Sequence, residues 1–285
     1  MQVSKSSFGL NVNGDICMTW LRVALGIIFI IGGIKLAFLG ETSALAANYT
    51  NPEKGWLSPV FADKITQITG IGVGPFLRTQ GLVEIALGLL MALGVGTRVV
   101  AVIMGLMFWV FAAANPVAGE IRLSRDLALM GCCFAVAFAG AGTWSLDGRL
   151  WQRQSTFASY QDSILILIRL SLAFTLLASA VFAHGPFANH LNTTLPIVVV
   201  LAMGVLLAVG LRPHWIMGLL ALWMLYVIAT SIGAKGIYFG LDSAKRELGF
   251  LAAATVYALL GPDRWTWLMP QTPAAAPVEY AESVS

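Results

Sequence analysis

Residues 78–98 read RTQGLVEIALGLLMALGVGTR, an apolar run closed by arginine at both ends and carrying one carboxylate, Glu84, near its middle. As an α-helix rising about 1.5 Å per residue, the run is roughly 30 Å long, the thickness of a bilayer's hydrocarbon core. A carboxylate at that depth costs about 2.5–3.5 kcal/mol on insertion scales unless it is neutral or paired. Glu84 is therefore the residue whose purpose the rest of the chain has to explain.

Composition agrees with that opening. Of 285 residues, 58% are hydrophobic and 11% charged, and the mean hydropathy is +0.81, whereas a soluble domain carries about 25% charged residues. The chain reads as an all-α integral membrane protein. A net charge of +3 with no basic block gives no footing for nucleic acid. Cys17, Cys132 and Cys133 make no CxxC, CxxCH or ferredoxin spacing and read as small buried hydrophobes. The first apolar run is followed by Ala44-Leu45-Ala46, which has the form of a signal cleavage site. The run is longer than the usual signal h-region of about 7–15 residues, so it is expected to stay as an uncleaved span.

Eight transmembrane helices are expected, at 17–39, 76–95, 97–115, 123–142, 161–184, 193–211, 213–233 and 244–261. Helices are the natural spanning element because lipid offers no partner to backbone N–H and C=O groups. Tight connections at Gly94–Thr97 and Gly210–Pro213 make their flanking helices antiparallel. Residues 40–75 form the one long loop. Within it, residues 58–68 have a Ser cap, proline at the first helical position and an apolar stripe, which predicts a short helix on the membrane surface near Trp56. The chain then divides into an N-terminal segment 1–16, a first four-helix unit 17–150, a second unit 151–268, and a disordered tail 269–285.

The two units read as a tandem repeat. Leu21-Arg22-Val23-Ala24-Leu25 recurs as Ile168-Arg169-Leu170-Ser171-Leu172, Arg125-Asp126 returns as Arg246-Glu247, and Gly140 through Trp144 returns as Gly261 through Trp265. Four spans per unit is an even number, so the repeats are parallel. They are not equivalent, because Glu84 aligns with Val198. Counting basic residues leaves the orientation open. Both termini are expected in the cytoplasm of a cell whose inner membrane the chain crosses, with loop 40–75 outside.

The run Arg22-x3-Gly26…Gly33-x-Lys35, then Glu84 with Gly88, Gly96-Thr97-Arg98, Arg125-Asp126 and Gly142-Thr143-Trp144-Ser145-Leu146-Asp147 resembles the DoxX-like membrane proteins. The resemblance covers 20–150 well and 165–265 more loosely. Within that family, the long first loop and tandem length are most similar to the DoxD-type subunit of thiosulfate:quinone oxidoreductase. The resemblance implies two tandem DoxX-like four-helix bundles, a membrane quinone as electron acceptor, and thiosulfate oxidised to tetrathionate. The usual companion of the DoxD part, a DoxA part with a large soluble domain, has no counterpart in the second half, so such a partner is a separate chain or absent.

The residues themselves hold no haem, flavin, iron–sulfur or metal motif. Gly70-x-Gly72-x-Gly74 lies in a loop rather than after a strand, and His184, His190 and His214 are not placed to face one another. A lipid-soluble quinone is the natural carrier. Glu84 is then the candidate catalytic residue, a carboxyl group that could carry a proton to quinone oxygen, with Gln80 one turn earlier on the same face. A structural ion pair between Lys35 and Glu84 is an equal and compatible reading. The resemblance brings Arg22 and Asp126 into the same quinone or ion-pair set. Arg78, Arg122, Arg125 and Lys64 form the candidate anion site, since guanidinium pairs with oxyanions in bidentate fashion. Arg125-Asp126 also suits the start of a helix, where the dipole favours aspartate. Two other classes stay open: a non-enzymatic DoxX-type scaffold for partner oxidoreductases, and a small-solute transporter.

Overall fold

The computed structural model describes residues 3–5, 11–39, 42–51, 59–114, 123–151, 156–182 and 194–266. Apart from a two-stranded antiparallel hairpin, β1 (Val3–Lys5) and β2 (Asn11–Asn13), these residues build helices. Four are long and apolar enough to cross a membrane: α1 (Gly14–Phe38), α4 (Val73–Leu93), α8 (Phe157–Phe182) and α10 (Pro213–Lys235). This is a membrane protein. Four shorter helices fall on the remaining apolar segments: α5 (Thr97–Ala114), α6 (Leu123–Ala139), α9 (Thr194–Val209) and α12 (Lys245–Leu260). The connections carry α2 (Thr42–Tyr49), α3 (Pro59–Thr69), α7 (Leu146–Leu150) and α11 (Ile237–Ser243). The helix expected over 58–68 is α3, beginning on its proline. Trp56, Arg122, His184, His190 and the tail 269–285 lie outside the described residues.

Local chemistry sets the ends of the long helices. Asn13 caps α1 by accepting from the Asp15 N–H at 2.9 Å, while Asp15 and Lys35 place opposite charges at the two dipole ends. Gly94 ends α4 in the left-handed region, with φ at 74°, and its N–H returns to Leu90 and Met91.

The closest helix pair is α1 with α4, and glycine is the reason. Gly26 and Gly33 on α1 are one heptad apart, as are Gly81 and Gly88 on α4, and the helices run antiparallel so that Gly26 meets Gly88 and Gly33 meets Gly81. A Cβ on Gly26 would sit 2.6 Å from the Gly88 carbonyl oxygen, and one on Gly33 would sit 2.4 Å from that of Gly81. Small residues let backbones approach where lipid supplies no hydrophobic drive between helices. By contrast α4 and α5, neighbours in sequence, barely touch.

The pairings of the first half return in the second. α1–α4 matches α8–α9, α5–α6 matches α10–α12, and the crossing contact α6–α8 matches α12–α1. One apolar core runs through both halves, from Leu21, Leu25 and Met104 to Ile164, Leu172 and Phe250. Two buried arginines occupy matching places. Arg22 donates to the Ala141 and Trp144 carbonyls, and Arg169 donates to the Leu207 and Ala208 carbonyls and to Asp263. Each lies under a left-handed glycine. A Cβ on Gly94 would fall 2.8 Å from Arg22 Nη1, and one on Gly210 would fall 2.8 Å from Arg169 Nη1. Arg22 thus satisfies carbonyls of the turn between α6 and α7, and Arg169 the last-turn carbonyls of α9, groups that would otherwise be orphaned in a dry site. All three cysteines are buried and unbridged.

The glycine seam is directly testable. Gly33→Ala forces α1 from α4 and is expected to lose about 1–3 kcal/mol, as overpacking does. Thermal melts in detergent should show a clearly lower Tm for this variant. Gly218→Ala, with nothing within 4 Å of its new Cβ, should melt with the wild type.

Candidate functional site

Glu84 is buried, 6% exposed, on the α1-facing side of α4. Its Oε1 accepts from Gln80 Nε2 at 2.8 Å, a bond that the four-residue helical spacing makes natural. Its Oε2 points across Gly32 of α1: a Cβ there would lie 3.0 Å from Oε2 and 3.5 Å from Lys245 Nζ. The cation facing Glu84 thus comes from α12, in the other half of the chain.

Lys35 does not pair with Glu84. Its Nζ is 2.7 Å from Asp242 Oδ2, and the other oxygen of Asp242 accepts from Lys245 Nζ at 2.8 Å. Lys35 lies one turn beyond Gly32 toward the α1 terminus, where α11 presents Asp242 and so supplies a nearer carboxylate. Burial disfavours the charged Asp242, but Lys245 and Lys35 outweigh it and hold the carboxyl below its usual range.

Two further ion pairs bridge the halves. Arg246 grips Asp126 with both forks, Nε to Oδ1 at 2.7 Å and Nη2 to Oδ2 at 3.2 Å. Arg125 reaches Glu247 Oε1 at the longer distance of 3.9 Å. Asp126 does lie in the first turn of α6, yet its partner is the arginine of the other repeat rather than its neighbour Arg125.

These groups surround a cavity of about 630 Å³, within the usual size of a small-molecule site. Its apolar side is built by Phe29, Phe76, Phe108 and Phe111; Phe29 and Phe108 meet edge to face with centroids 5.1 Å apart. Its polar side carries Gln80, Glu84, Tyr49 and five cationic side chains: Lys35, Arg125, Lys235, Lys245 and Arg246. Only three carboxylates answer them on the lining, Glu84, Asp126 and Asp242, so the wall is cationic on balance. Burial, reinforced by the carboxylates Glu84 and Asp242, pushes the Tyr49 phenol well up, so it stays an O–H donor.

The sequence-derived set divides sharply. Glu84, Gln80, Lys35, Asp126 and Arg125 line the cavity. Arg22 does not: it is ten residues from Gly32 along α1, about 15 Å away, where it holds the Ala141 and Trp144 carbonyls. Arg78 is half-buried on another face of α4, since six residues turn the helix about 240° from it to Glu84. Lys64 is exposed on α3, whose Ala62 and Ile65 pack inward against Tyr49, Val73 and Phe76. Of the proposed anion site, only Arg125 among the described residues meets the cavity. Sequence reading missed Lys245, Asp242 and Tyr49 as neighbours of Glu84. The one signal for them was Asp242 three residues before Lys245, a spacing that pairs charges on consecutive turns. Among the described residues no group of histidine, cysteine and carboxylate side chains could hold a metal ion.

Comparison with models of known families, with curated proteins and with solved structures finds no match to the chain.

The Asp242 pairing carries a pH signature. A carboxyl held below its unfolded value, about 3.9 for aspartate, stabilises the fold above that pH, and the contribution fades as pH falls through the lower, folded value. Asp242→Asn should therefore lower Tm at pH 7, and the difference from wild type should shrink below about pH 4. A pH series of thermal melts measures this.

Proposed function

We propose that this chain is a membrane oxidoreductase that reduces a lipid-soluble quinone in the Glu84 cavity, with thiosulfate as the reductant. The observation that carries the reading is the cavity itself: an aromatic side sized for a quinone ring, joined to a polar side where a buried carboxyl and an amide stand together. Gln80 Nε2 and Glu84 Oε1 are 2.8 Å apart, so both can reach one quinone oxygen. The surplus of cationic side chains suits an oxyanion at the same polar side. Thiosulfate comes from the resemblance to the DoxD-type subunit, not from the geometry.

The balance of the reaction defines what the residues must do. Two thiosulfate dianions join through a new sulfur–sulfur bond and release two electrons. Those electrons, with two protons, convert one quinone to quinol. Glu84 delivers a proton to quinone oxygen and is reprotonated from water. Gln80 orients the ring, Arg125 and Lys245 hold the dianion, and the aromatic side chains exclude water from the reduced ring.

Eight spans in two tandem four-helix bundles are part of the proposal. Supporting it are the match of every expected span to a helix, the repeated pairing pattern, and the twin arginine–glycine ties. With both termini cytoplasmic in the inner membrane, loop 40–75, α11 and the first turns of α6 and α12 face outward. The anion would then enter from outside, and a DoxA-like partner would dock on that face.

Purified protein, alone and with co-purified partners, should reduce a short-chain quinone when thiosulfate is added. Glu84→Gln should lower turnover by roughly 10²–10⁴-fold, the usual worth of a positioned proton donor, with KM for thiosulfate little changed. Absence of turnover in the wild type under both conditions would remove the enzymatic reading and favour a scaffold.

A further inference from the structure

Four charged groups run in line from the centre of α4 to the edge of the bundle. Glu84 Oε2 faces Lys245 Nζ across the bare Cα of Gly32, both lying within 3.5 Å of where a Cβ would be. Lys245 Nζ contacts Asp242 Oδ1 at 2.8 Å, and Asp242 Oδ2 contacts Lys35 Nζ at 2.7 Å. Side-chain exposure rises along the outer part of the line, from 10% at Asp242 to 44% at Lys35. Asp242 is thus a two-sided bridge: one oxygen serves the ammonium beside Glu84, and the other serves an ammonium open to the surface.

We propose that Asp242, with Lys245 and Lys35, is the proton path between the buried Glu84 carboxyl and the aqueous phase at the α11 face. A fixed ion pair would need one cation for one carboxylate. Here a carboxylate that no catalytic step uses spans two ammonium groups from helices of different halves. A proton passing from Lys245 to Glu84, through a water in the gap over Gly32, is replaced by way of Asp242, which first accepts one from Lys35 and then hands it to Lys245; Lys35 recovers its proton from the aqueous phase. Each transfer breaks one N–H or O–H bond and makes another, the net result is one proton moved from water to Glu84, and no redox partner is needed.

The surroundings favour this route over others. Beyond Lys245, Glu84 is faced by Arg246 of α12, which is gripped by Asp126, and by Tyr49 of α2. A guanidinium cannot be deprotonated in a protein, and no hydrogen bond between the Tyr49 phenol and Glu84 is seen among the described residues, whereas Asp242 contacts both ammonium groups. Asp242 is faced by Lys35 of α1, Lys245 of α12, Tyr49 of α2 and Tyr238 on its own helix. Gly32 is then a positioning residue: it leaves open the gap through which carboxyl and ammonium approach.

The path extends the proposed function, from which it takes only the membrane setting, and its test needs neither quinone nor thiosulfate. Hydrogen–deuterium exchange of the Glu84 carboxyl can be followed by difference infrared spectroscopy on the full chain in lipid vesicles, with Glu84→Gln identifying the band. Asp242→Asn is expected to slow that exchange by roughly 10²-fold, the usual worth of a positioned proton-transfer group. Azide, a small mobile acid–base pair, should restore it, and Asp242→Glu should exchange at nearly the wild-type rate. Lys35→Gln, which leaves the inner pair in place, should slow exchange less than Asp242→Asn does. A folded Asp242→Asn protein exchanging as fast as wild type would overturn the path, as would slowed exchange that azide leaves untouched.

Discussion

Charge buried in an apolar body must find opposite charge, and in this chain it finds it across the midline. Arg246 holds Asp126, and Arg125 approaches Glu247. Each half thus supplies the acid that the other half's arginine meets. Removing one member of such a pair leaves the other uncompensated, a loss of about 3–5 kcal/mol where burial is deep. Arg169 and Asp263 settle their charges within the second half, whereas the charges lining the cavity are settled between helices of both halves.

The Glu84 site inherits its asymmetry from that exchange. Its carboxylate and amide come from α4, its ammonium from α12, and the closing carboxylate from α11. Val198, the residue that the sequence aligns with Glu84, is exposed on α9. The carboxylate of the chamber thus belongs to α4 alone, and α11 and α12 of the second half supply a wall of its site.

Helix positions were legible in the sequence because apolar length and turn glycines are local properties. The Gln80–Glu84 bond was legible for the same reason, four residues being one turn. The sequence also matched Arg125-Asp126 with Arg246-Glu247, and the structure sets these two dipeptides against each other. What periodicity does not encode is which helix stands opposite which. Lys35 shares a loop end with the Glu84 helix, yet its partner is Asp242, 207 residues later. Arg22 belongs to the motif that suggested a quinone contact, yet it holds carbonyls of the turn between α6 and α7, about 15 Å along α1 from Gly32. Arg22 of that pattern is a structural tie, whereas its Lys35, Glu84, Arg125 and Asp126 line the cavity.

The contact between α1 and α12 has a consequence for how the chain is made. As α1 is made before α4, its glycine face can dock on α4 as soon as that helix follows. The flank that meets α12 lacks that neighbour until Lys245–Leu260 follows. Over that interval Gly32 and Lys35 face whatever lies beside them in the bilayer, and long-range closure of this kind is slow. Maturation of the chamber is therefore the last event of assembly: a chain stopped before α12 would hold Glu84 on a paired α1–α4 hairpin with no ammonium to meet it.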